Sequence, residues 1–184
     1  MKNLTAANQL TILRMLLIPA FVILLIYGYR GWALVTLMAA GATDMLDGLI
    51  ARSTGQHTEL GAWLDPMADK LLLVTMFIVL TLPDIGVNRL PLWFTILVIS
   101  RDVAIVGTVA VFNLAVGPRT FRPSIFGKIA TATYICTGLI TLWFNYLEQP
   151  SRLVTAFVYA SLVITFISAA HYLVQVIRIA PRRS

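Results

Sequence analysis

The chain has 184 residues, of which 59% are hydrophobic and only 12% are charged. Soluble domains average about 45–50% apolar and about 25% charged residues, so the composition excludes an ordinary soluble domain and predicts an integral membrane protein of one domain, residues 1–184. The net charge of +6 comes largely from basic residues at the ends of apolar segments. That placement argues against nucleic-acid binding and favours contact with anionic lipid headgroups.

Six apolar segments are long enough to cross a bilayer as helices, which takes about 20 residues each. They cover approximately residues 9–29, 32–52, 61–82, 91–115, 125–147 and 152–177. We interpret the first as a permanent span, because its polar flank is not followed by a short apolar core and a small-residue cleavage site. The connections are short, and no internal repeat or linker indicates a second domain. The sequence therefore predicts an all-α membrane protein.

Basic residues are distributed unequally between the two ends of these spans. On one side lie Lys2, Arg14, Arg52, Arg119, Arg122, Lys128, Arg178, Arg182 and Arg183, and on the other lie Arg30, Arg89 and Arg152. The side with the excess of Lys and Arg faces the cytoplasm in membrane proteins. We therefore expect a multi-pass protein with both termini in the cytoplasm.

The second and third spans contain four aspartates, Asp44, Asp47, Asp65 and Asp69. One carboxylate at a helix centre costs roughly 2.5–3.5 kcal/mol on insertion scales, so a compensating cation is expected. The spacings i,i+3 in the first pair and i,i+4 in the second place each pair on one helix face. Taken singly, an aspartate of this kind is as often a proton relay or a helix–helix hydrogen bond as a metal ligand.

Both pairs are expected at a similar depth near the cytoplasmic ends of their spans, and the short loop at 53–60 makes the two helices antiparallel neighbours. Four converging carboxylates repel one another unless cations lie between them. Their hard oxygen atoms suit Mg²⁺, Mn²⁺ or Ca²⁺. Two such ions suit displacement at phosphorus.

Three residues after the first pair suit a diphosphate group. Gly48 lets a ligand approach the helix backbone, and Ala51 keeps the same surface open about one turn later. Arg52 offers a planar fork of N–H donors to a phosphate. Taken singly, such a glycine is more often a packing residue and such an arginine an interfacial anchor. The complete spacing, Asp-x₂-Asp-Gly-x₂-Ala-Arg-x₈-Gly-x₃-Asp-x₃-Asp, is far more specific than its parts.

Further charged residues follow in the second half of the chain. Arg101 lies inside the fourth span beside an aspartate, Arg119 and Arg122 precede the fifth span, and Lys128 begins it. A cluster of these cations would bind a phosphate-bearing acceptor. The alternatives are a salt bridge for Arg101 and a topology-setting loop for the next two arginines. His171, in the last span, is expected to make a helix–helix hydrogen bond.

The complete aspartate spacing resembles the signature of the CDP-alcohol phosphotransferase family, and every signature position is matched. The resemblance extends over most of the chain and includes Asn8-Gln-Leu10-Thr11-x-x-Arg14, followed by Pro19. It implies six transmembrane helices around a polar cavity open to the cytoplasm, a homodimer, and a place in the bacterial cytoplasmic (inner) membrane. It also implies cleavage of a CDP-linked lipid, in which an acceptor hydroxyl attacks the lipid-side phosphorus and CMP leaves.

The resemblance also implies a role for individual residues. Two Mg²⁺ or Mn²⁺ ions would be bound by Asp44, Asp47, Asp65 and Asp69. Asp69 would also act as the catalytic base that takes the proton of the acceptor hydroxyl. The CDP moiety would be contacted by Gly48, Ala51, Arg52, Ser53 and Thr58. The phosphate of the acceptor is assigned to Arg101, Arg119, Arg122 and Lys128.

Two acceptors fit such a cluster of cations. Glycerol 3-phosphate, which gives phosphatidylglycerophosphate, is preferred as the commoner role of compact bacterial chains. Phosphatidylglycerol, which gives cardiolipin, is the alternative. Segment 64–70, Leu-Asp-Pro-Met-Ala-Asp-Lys, resembles bacterial phosphatidylglycerophosphate synthases. Segments 100–103, Ser-Arg-Asp-Val, and 171–172, His-Tyr, instead resemble CMP-releasing cardiolipin synthases.

Two other classes compete with this interpretation. A small cation- or proton-coupled transporter would explain intramembrane aspartates, but not the Gly-Ala-Arg arrangement between the pairs. A membrane prenyltransferase also uses aspartates and Mg²⁺ for diphosphate chemistry, but such proteins are usually longer and space their aspartates differently. Release of CMP that depends on the acceptor would separate the expected enzyme from both.

Overall fold

A computed structural model describes the backbone of residues 6–54, 59–116 and 125–179. Within these ranges it describes every side chain except those at 6–8, 45, 47–54, 59–63, 65, 109–116, 173 and 175–179.

All the secondary structure in these three ranges is helical, which confirms the all-α prediction. The helices are α1 (Ala6–Ile26), α2 (Arg30–Thr54), α3 (Glu59–Thr81), α4 (Leu92–Val116), α5 (Ile125–Tyr146) and α6 (Arg152–Ile179). Each corresponds to one of the six apolar segments. Over their described residues, three helices are long and apolar enough to cross a membrane: Gln9–Ile26, Ile125–Tyr146 and Arg152–Tyr172. α2 and α3 carry the aspartates, which interrupt their apolar runs.

The distribution of side chains between surface and interior is that of a membrane protein. Large apolar groups lie on the surface, and Leu16, Trp32 and Val103 are each about two thirds exposed. The fully buried set includes these polar or charged residues: Thr11, Arg14, Thr137, Thr141, Asn145 and Ser161. In hydrocarbon an apolar surface costs nothing, whereas polar groups lower their free energy by pairing with each other inside the protein.

The chain divides into two compact units. Unit 1 comprises Met1–Arg89 and Thr141–Pro150, and unit 2 comprises Leu90–Ile140 and Ser151–Ser184. In unit 1, α1 packs against both α2 and α3. The turn between α1 and α2 is short because Gly28 takes a left-handed conformation, φ 81°, which glycine adopts without a Cβ clash. In unit 2, α4 packs against α6.

A hydrogen-bonded connection within unit 1 joins the α3–α4 loop to the end of α5. The side chain of Asn145 accepts a hydrogen bond of 2.7 Å from the backbone N–H of Asn88 and donates one of 2.9 Å to its carbonyl oxygen. Gly86 lies so close that a Cβ added there would be 2.5 Å from Asn145 Nδ2. This loop is therefore held by a buried amide that leaves no room for a side chain at position 86.

Candidate active site

The site in unit 1 is organised around Arg14, whose side chain is completely buried. Its Nη2 lies 3.1 Å from Oδ1 of Asp44 on α2. Its Nη1 donates a hydrogen bond to Oδ1 of Asp69 on α3. One guanidinium from α1 therefore joins one member of each aspartate pair.

This arrangement follows from the packing of the first three helices. Because α1 contacts both α2 and α3, a long side chain on its inner face reaches both. Thr11 and Arg14 are fully buried and spaced i,i+3, so they mark that face. The guanidinium offers five N–H donors in a rigid fork and binds two carboxylates better than a lysine would.

The structure brings together two of the four predicted metal ligands, Asp44 and Asp69. Asp47 and Asp65 lie in α2 and α3, three and four residues from these, and their side chains are outside the described residues. Metal binding by the four aspartates stays a prediction. Among the side chains that are described, no group of three or more His, Cys, Asp or Glu residues is placed to hold a metal ion.

The described donors nevertheless fit a divalent cation of the Mg²⁺ type. Asp44 and Asp69 supply hard carboxylate oxygens, and their side chains are about half exposed, 50% and 48%, so both remain accessible. Two carboxylates beside one guanidinium leave a net negative charge on this trio. A divalent cation would be attracted to that charge.

The residues predicted to contact the CDP moiety follow Asp47 toward the end of α2. Gly48, Ala51, Arg52 and Ser53 belong to the helix, which continues to Thr54, but their side chains are outside the described residues. Thr58 lies outside the described ranges altogether. These contacts stay predictions.

Unit 2 contains the residues assigned to the acceptor phosphate. Arg101 Nη1 lies 2.8 Å from Oδ1 of Asp102, and its Nη2 donates a 3.2 Å hydrogen bond to Oγ of Ser168 on α6. The salt bridge considered as an alternative for Arg101 is therefore present, so its charge is already balanced. Lys128 is exposed near the start of α5. Arg119 and Arg122 lie outside the described residues.

Polar side chains follow one face of α6. Ser161 Oγ lies 2.9 Å from Thr137 Oγ1, and Thr165 Oγ1 lies 2.5 Å from the Tyr134 hydroxyl. Ser168, one turn further, binds Arg101. We call Ser161, Thr165, Ser168 and Tyr172, which are spaced four, three and four residues apart, the α6 polar stripe.

The stripe ends in polar atoms that are buried yet unpaired. Within the described part of the chain, Tyr172 Oη, His171 Nδ1 and Arg101 Nε have no hydrogen-bond partner. The helix–helix hydrogen bond expected of His171 is thus not formed by Nδ1 among these residues. Its ring instead packs on Phe126, with ring centroids 5.0 Å apart.

Sequence patterns do not assign Arg14 or Ser168 to a site. The charge distribution predicts that Arg14 is a topology-setting cation, but its burial shows that it is an internal counter-ion. Its place inside the apolar run 9–29, rather than at its edge, is the signal that identifies it. Ser168 carried no signal, since a serine in a membrane helix is ordinary.

Comparison with known proteins agrees with these features. The family model for CDP-alcohol phosphatidyltransferases matches residues 4–169. The chain belongs to the CDP-alcohol phosphatidyltransferase family. The matched region contains Arg14, all four aspartates and Ser168, but not Tyr172, the last residue of the α6 polar stripe.

The relatives of this family member include two kinds of phospholipid-synthesising protein. A "probable phosphatidylglycerophosphate synthase" of Mycobacterium tuberculosis is 33% identical over 181 residues, or 94% of this chain and 81% of the relative. A "putative cardiolipin synthase" of the same organism is 38% identical over 132 residues, or 70% of this chain and 59% of the relative. The human "cardiolipin synthase (CMP-forming)" is 30% identical over 197 residues, or 95% and 64%. The matches thus span about three fifths of these two cardiolipin synthases.

Proposed function

We propose that this protein transfers a phosphatidyl group from CDP-diacylglycerol to glycerol 3-phosphate, releasing CMP and forming phosphatidylglycerophosphate. The observation that carries the proposal is the meeting of Asp44 and Asp69 on the buried Arg14. It joins two helices of the family's aspartate motif at one point. In this proposal the chain forms one domain, 1–184, with six transmembrane helices around a polar cavity open to the cytoplasm.

The chemistry assigned to the site is a displacement at phosphorus. The acceptor hydroxyl forms a bond to the lipid-side phosphorus of CDP-diacylglycerol, and the bond from that phosphorus to the bridging oxygen breaks. That oxygen leaves with CMP, while the hydroxyl proton passes to Asp69. Two Mg²⁺ or Mn²⁺ ions, held by Asp44, Asp47, Asp65 and Asp69, would supply positive charge to the diphosphate when bound. Gly48, Ala51, Arg52, Ser53 and Thr58 would hold the CDP moiety.

Arg14 has a distinct part in this proposal. Its guanidinium binds one carboxylate of α2 and one of α3, so it keeps these two helices at a fixed separation. Because the geometry of a reacting group must be held to within fractions of an ångström, a rigid guanidinium fork is better suited to this task than a flexible ammonium group. Arg14 is thus proposed as a positioning residue.

Glycerol 3-phosphate is favoured as acceptor by the share of the relative's own length that the match covers. The probable phosphatidylglycerophosphate synthase matches 94% of this chain and 81% of its own length. Phosphatidylglycerol is the second candidate, supported by the higher identity, 38%, of the putative cardiolipin synthase. Both acceptors carry a phosphate, which Lys128, Arg119 and Arg122 would bind; Arg101, which is already paired with Asp102, is left out of this set.

The decisive experiment measures CMP release by the purified protein. CDP-diacylglycerol and Mg²⁺ or Mn²⁺ are combined in turn with glycerol 3-phosphate, phosphatidylglycerol or inositol phosphate, and each product is identified by mass. We expect phosphatidylglycerophosphate from the first acceptor. Asp44→Asn should abolish release, whereas Asp84→Asn, in the exposed α3–α4 loop, should not. Absence of acceptor-dependent CMP release would reject the enzyme and leave the transporter and prenyltransferase classes.

Membrane placement is part of the proposal. We propose a multi-pass protein of the bacterial cytoplasmic membrane with both termini in the cytoplasm, working as a homodimer. Accessibility of single cysteines at the two termini to an impermeant thiol reagent, in intact and in opened cells, tests the topology. Labelling of either terminus in intact cells would contradict it. Light scattering of the detergent-solubilised protein tests the dimer.

A further inference from the structure

We infer that the C-terminal end of the α6 polar stripe, with Arg101, forms a hydroxyl-binding subsite of unit 2 that recognises the glycerol part of the acceptor. The inference rests on the proposed function and adds what that function leaves open: which residues recognise the bystander hydroxyl of the acceptor. Its basis is the hydrogen bond from Arg101 to Ser168 and the position of His171 and Tyr172 one helical turn after Ser168.

The residues of the stripe differ in whether their polar atoms have hydrogen-bond partners. Ser161 and Thr165 bind hydroxyl groups of α5, and Ser168 binds Arg101 of α4. His171 and Tyr172 follow Ser168 by three and four residues, so they lie on the same helix face one turn further along. Pairing through most of the stripe followed by unpaired groups at its end is the pattern expected where a polar ligand completes the network.

Unpaired polar atoms are unfavourable inside a membrane protein. Arg101 Nε, His171 Nδ1 and Tyr172 Oη are all inaccessible and lack a partner among the described residues. A buried donor or acceptor without a partner loses its hydration and gains nothing in return. Arg101 binds Ser168, and the two unpaired atoms of α6 follow within the next turn, so the three together indicate a ligand rather than three independent defects.

The chemistry of these atoms favours hydroxyl groups over a phosphate. The positive charge of Arg101 is already balanced by Asp102 at 2.8 Å. Arg101 Nε is a donor, and both the imidazole nitrogen and the phenol can donate or accept. A phosphate dianion only accepts hydrogen bonds, whereas an alcohol does both. The subsite is therefore matched to a neutral alcohol.

The start of α5 supplies the cation that this subsite lacks. His171 packs on Phe126, and Lys128, in the same helix and the same unit, is exposed. Residues two apart in a helix point to different sides, so Lys128 is assigned to the phosphate by its charge and exposure. In this proposal Lys128 binds the phosphate of the acceptor, and the end of the stripe binds its secondary hydroxyl. Both glycerol 3-phosphate and phosphatidylglycerol have that hydroxyl next to the primary one that reacts.

The test compares acceptors that differ only in the secondary hydroxyl. 3-Hydroxypropyl phosphate keeps the reacting hydroxyl and the phosphate of glycerol 3-phosphate but lacks the secondary hydroxyl. We expect kcat/KM to be about tenfold or more lower for this analogue with the unmodified protein, since buried partners are left unpaired. The discrimination ratio is kcat/KM for glycerol 3-phosphate divided by kcat/KM for the analogue. Tyr172→Phe and His171→Phe, which keep an aromatic ring, should each reduce that ratio about fivefold without changing KM for CDP-diacylglycerol.

Tyr134→Phe is the matched control, because it removes a hydroxyl that already has a partner in Thr165. It should leave the ratio unchanged. If the protein does not discriminate between the two acceptors, or if both α6 variants keep the full ratio, the subsite is rejected. If phosphatidylglycerol is the acceptor, phosphatidyl-1,3-propanediol is the corresponding analogue.

Failure of the proposed function is distinguished by a binding measurement. If no acceptor releases CMP, the enzyme proposal fails, and the subsite is judged by thermal stabilisation of the protein with glycerol 3-phosphate and with 3-hydroxypropyl phosphate. Greater stabilisation by the diol, lost in Tyr172→Phe and retained in Tyr134→Phe, supports the subsite. Equal stabilisation by both compounds overturns it.

Discussion

Replacing Arg14 by methionine tests the centre of the proposed site. Methionine is unbranched and fills similar space, so the substitution mainly removes the charge and the N–H donors. Asp44 and Asp69, which both bind this guanidinium, would then face each other without it. The protein should lose stability because two carboxylates repel when their shared counter-ion is absent.

The size of the loss follows from burial. Removing one partner of a fully buried ion pair costs about 3–5 kcal/mol. Arg14 is fully buried, but the aspartates are half exposed, and solvent screens part of their repulsion. We therefore expect a loss near the lower limit, about 3 kcal/mol. For a protein of this size that corresponds to roughly 6–12 °C in the unfolding midpoint.

The assay is thermal unfolding of the detergent-solubilised protein, followed by tryptophan fluorescence in EDTA and again with Mn²⁺. Mn²⁺ should raise the midpoint of Arg14→Met more than that of the unmodified protein, since the cation replaces the lost counter-charge. Arg30→Met is the matched control: Arg30 pairs with Glu148 at 2.7 Å, the side chains are 24% and 73% exposed, and Arg30 Nε donates a 3.2 Å hydrogen bond to the carbonyl oxygen of Ile85. It should lose about 1–2 kcal/mol, less than Arg14→Met. Equal destabilisation by the two substitutions, or no extra effect of Mn²⁺, would refute the counter-ion role.

Three further predictions concern other parts of the molecule. Asp69→Asn should abolish CMP release but keep CDP-diacylglycerol binding, because the amide cannot take the proton; near-normal turnover would show that Asp69 is not the catalytic base. Lys128→Ala should raise KM for the acceptor much more than KM for CDP-diacylglycerol, and equal effects would remove Lys128 from the acceptor site. Gly86→Ala should lower the unfolding midpoint, since its Cβ would collide with the Asn145 side chain. Gly41→Ala, which meets nothing within 4 Å, should be neutral or slightly stabilising; equal losses would contradict the close packing at Gly86.

Much of the architecture was predictable from local features of the chain. Six apolar runs of about 20 residues predict helices because a bilayer leaves no other way to satisfy the backbone. The spacing of Asp44 and Asp47, and of Asp65 and Asp69, predicts which side chains share a helix face. Both inferences need only neighbouring residues. The six helices agree with the first inference, and the second stays a prediction for the pairs that include Asp47 and Asp65.

The contacts within the site could not be predicted from local sequence patterns. Periodicity identifies residues on one face, but it does not say which helix meets that face. Arg14 and Asp69 are 55 residues apart, and Arg101 and Ser168 are 67 apart. Asp102 follows Arg101 in the sequence, so their salt bridge could be predicted. The contact with Ser168 could not, because it depends on the packing of α4 against α6.

Composition and spacing within a few turns are enough to predict the helical membrane architecture, the aspartate motif and the family. The role of Arg14 as shared counter-ion of Asp44 and Asp69, and the lack of partners at the end of the α6 polar stripe among the described residues, are visible only in the folded protein. Charge neutralisation and hydrogen-bond pairing depend on distances between helices, which local patterns along the chain do not contain.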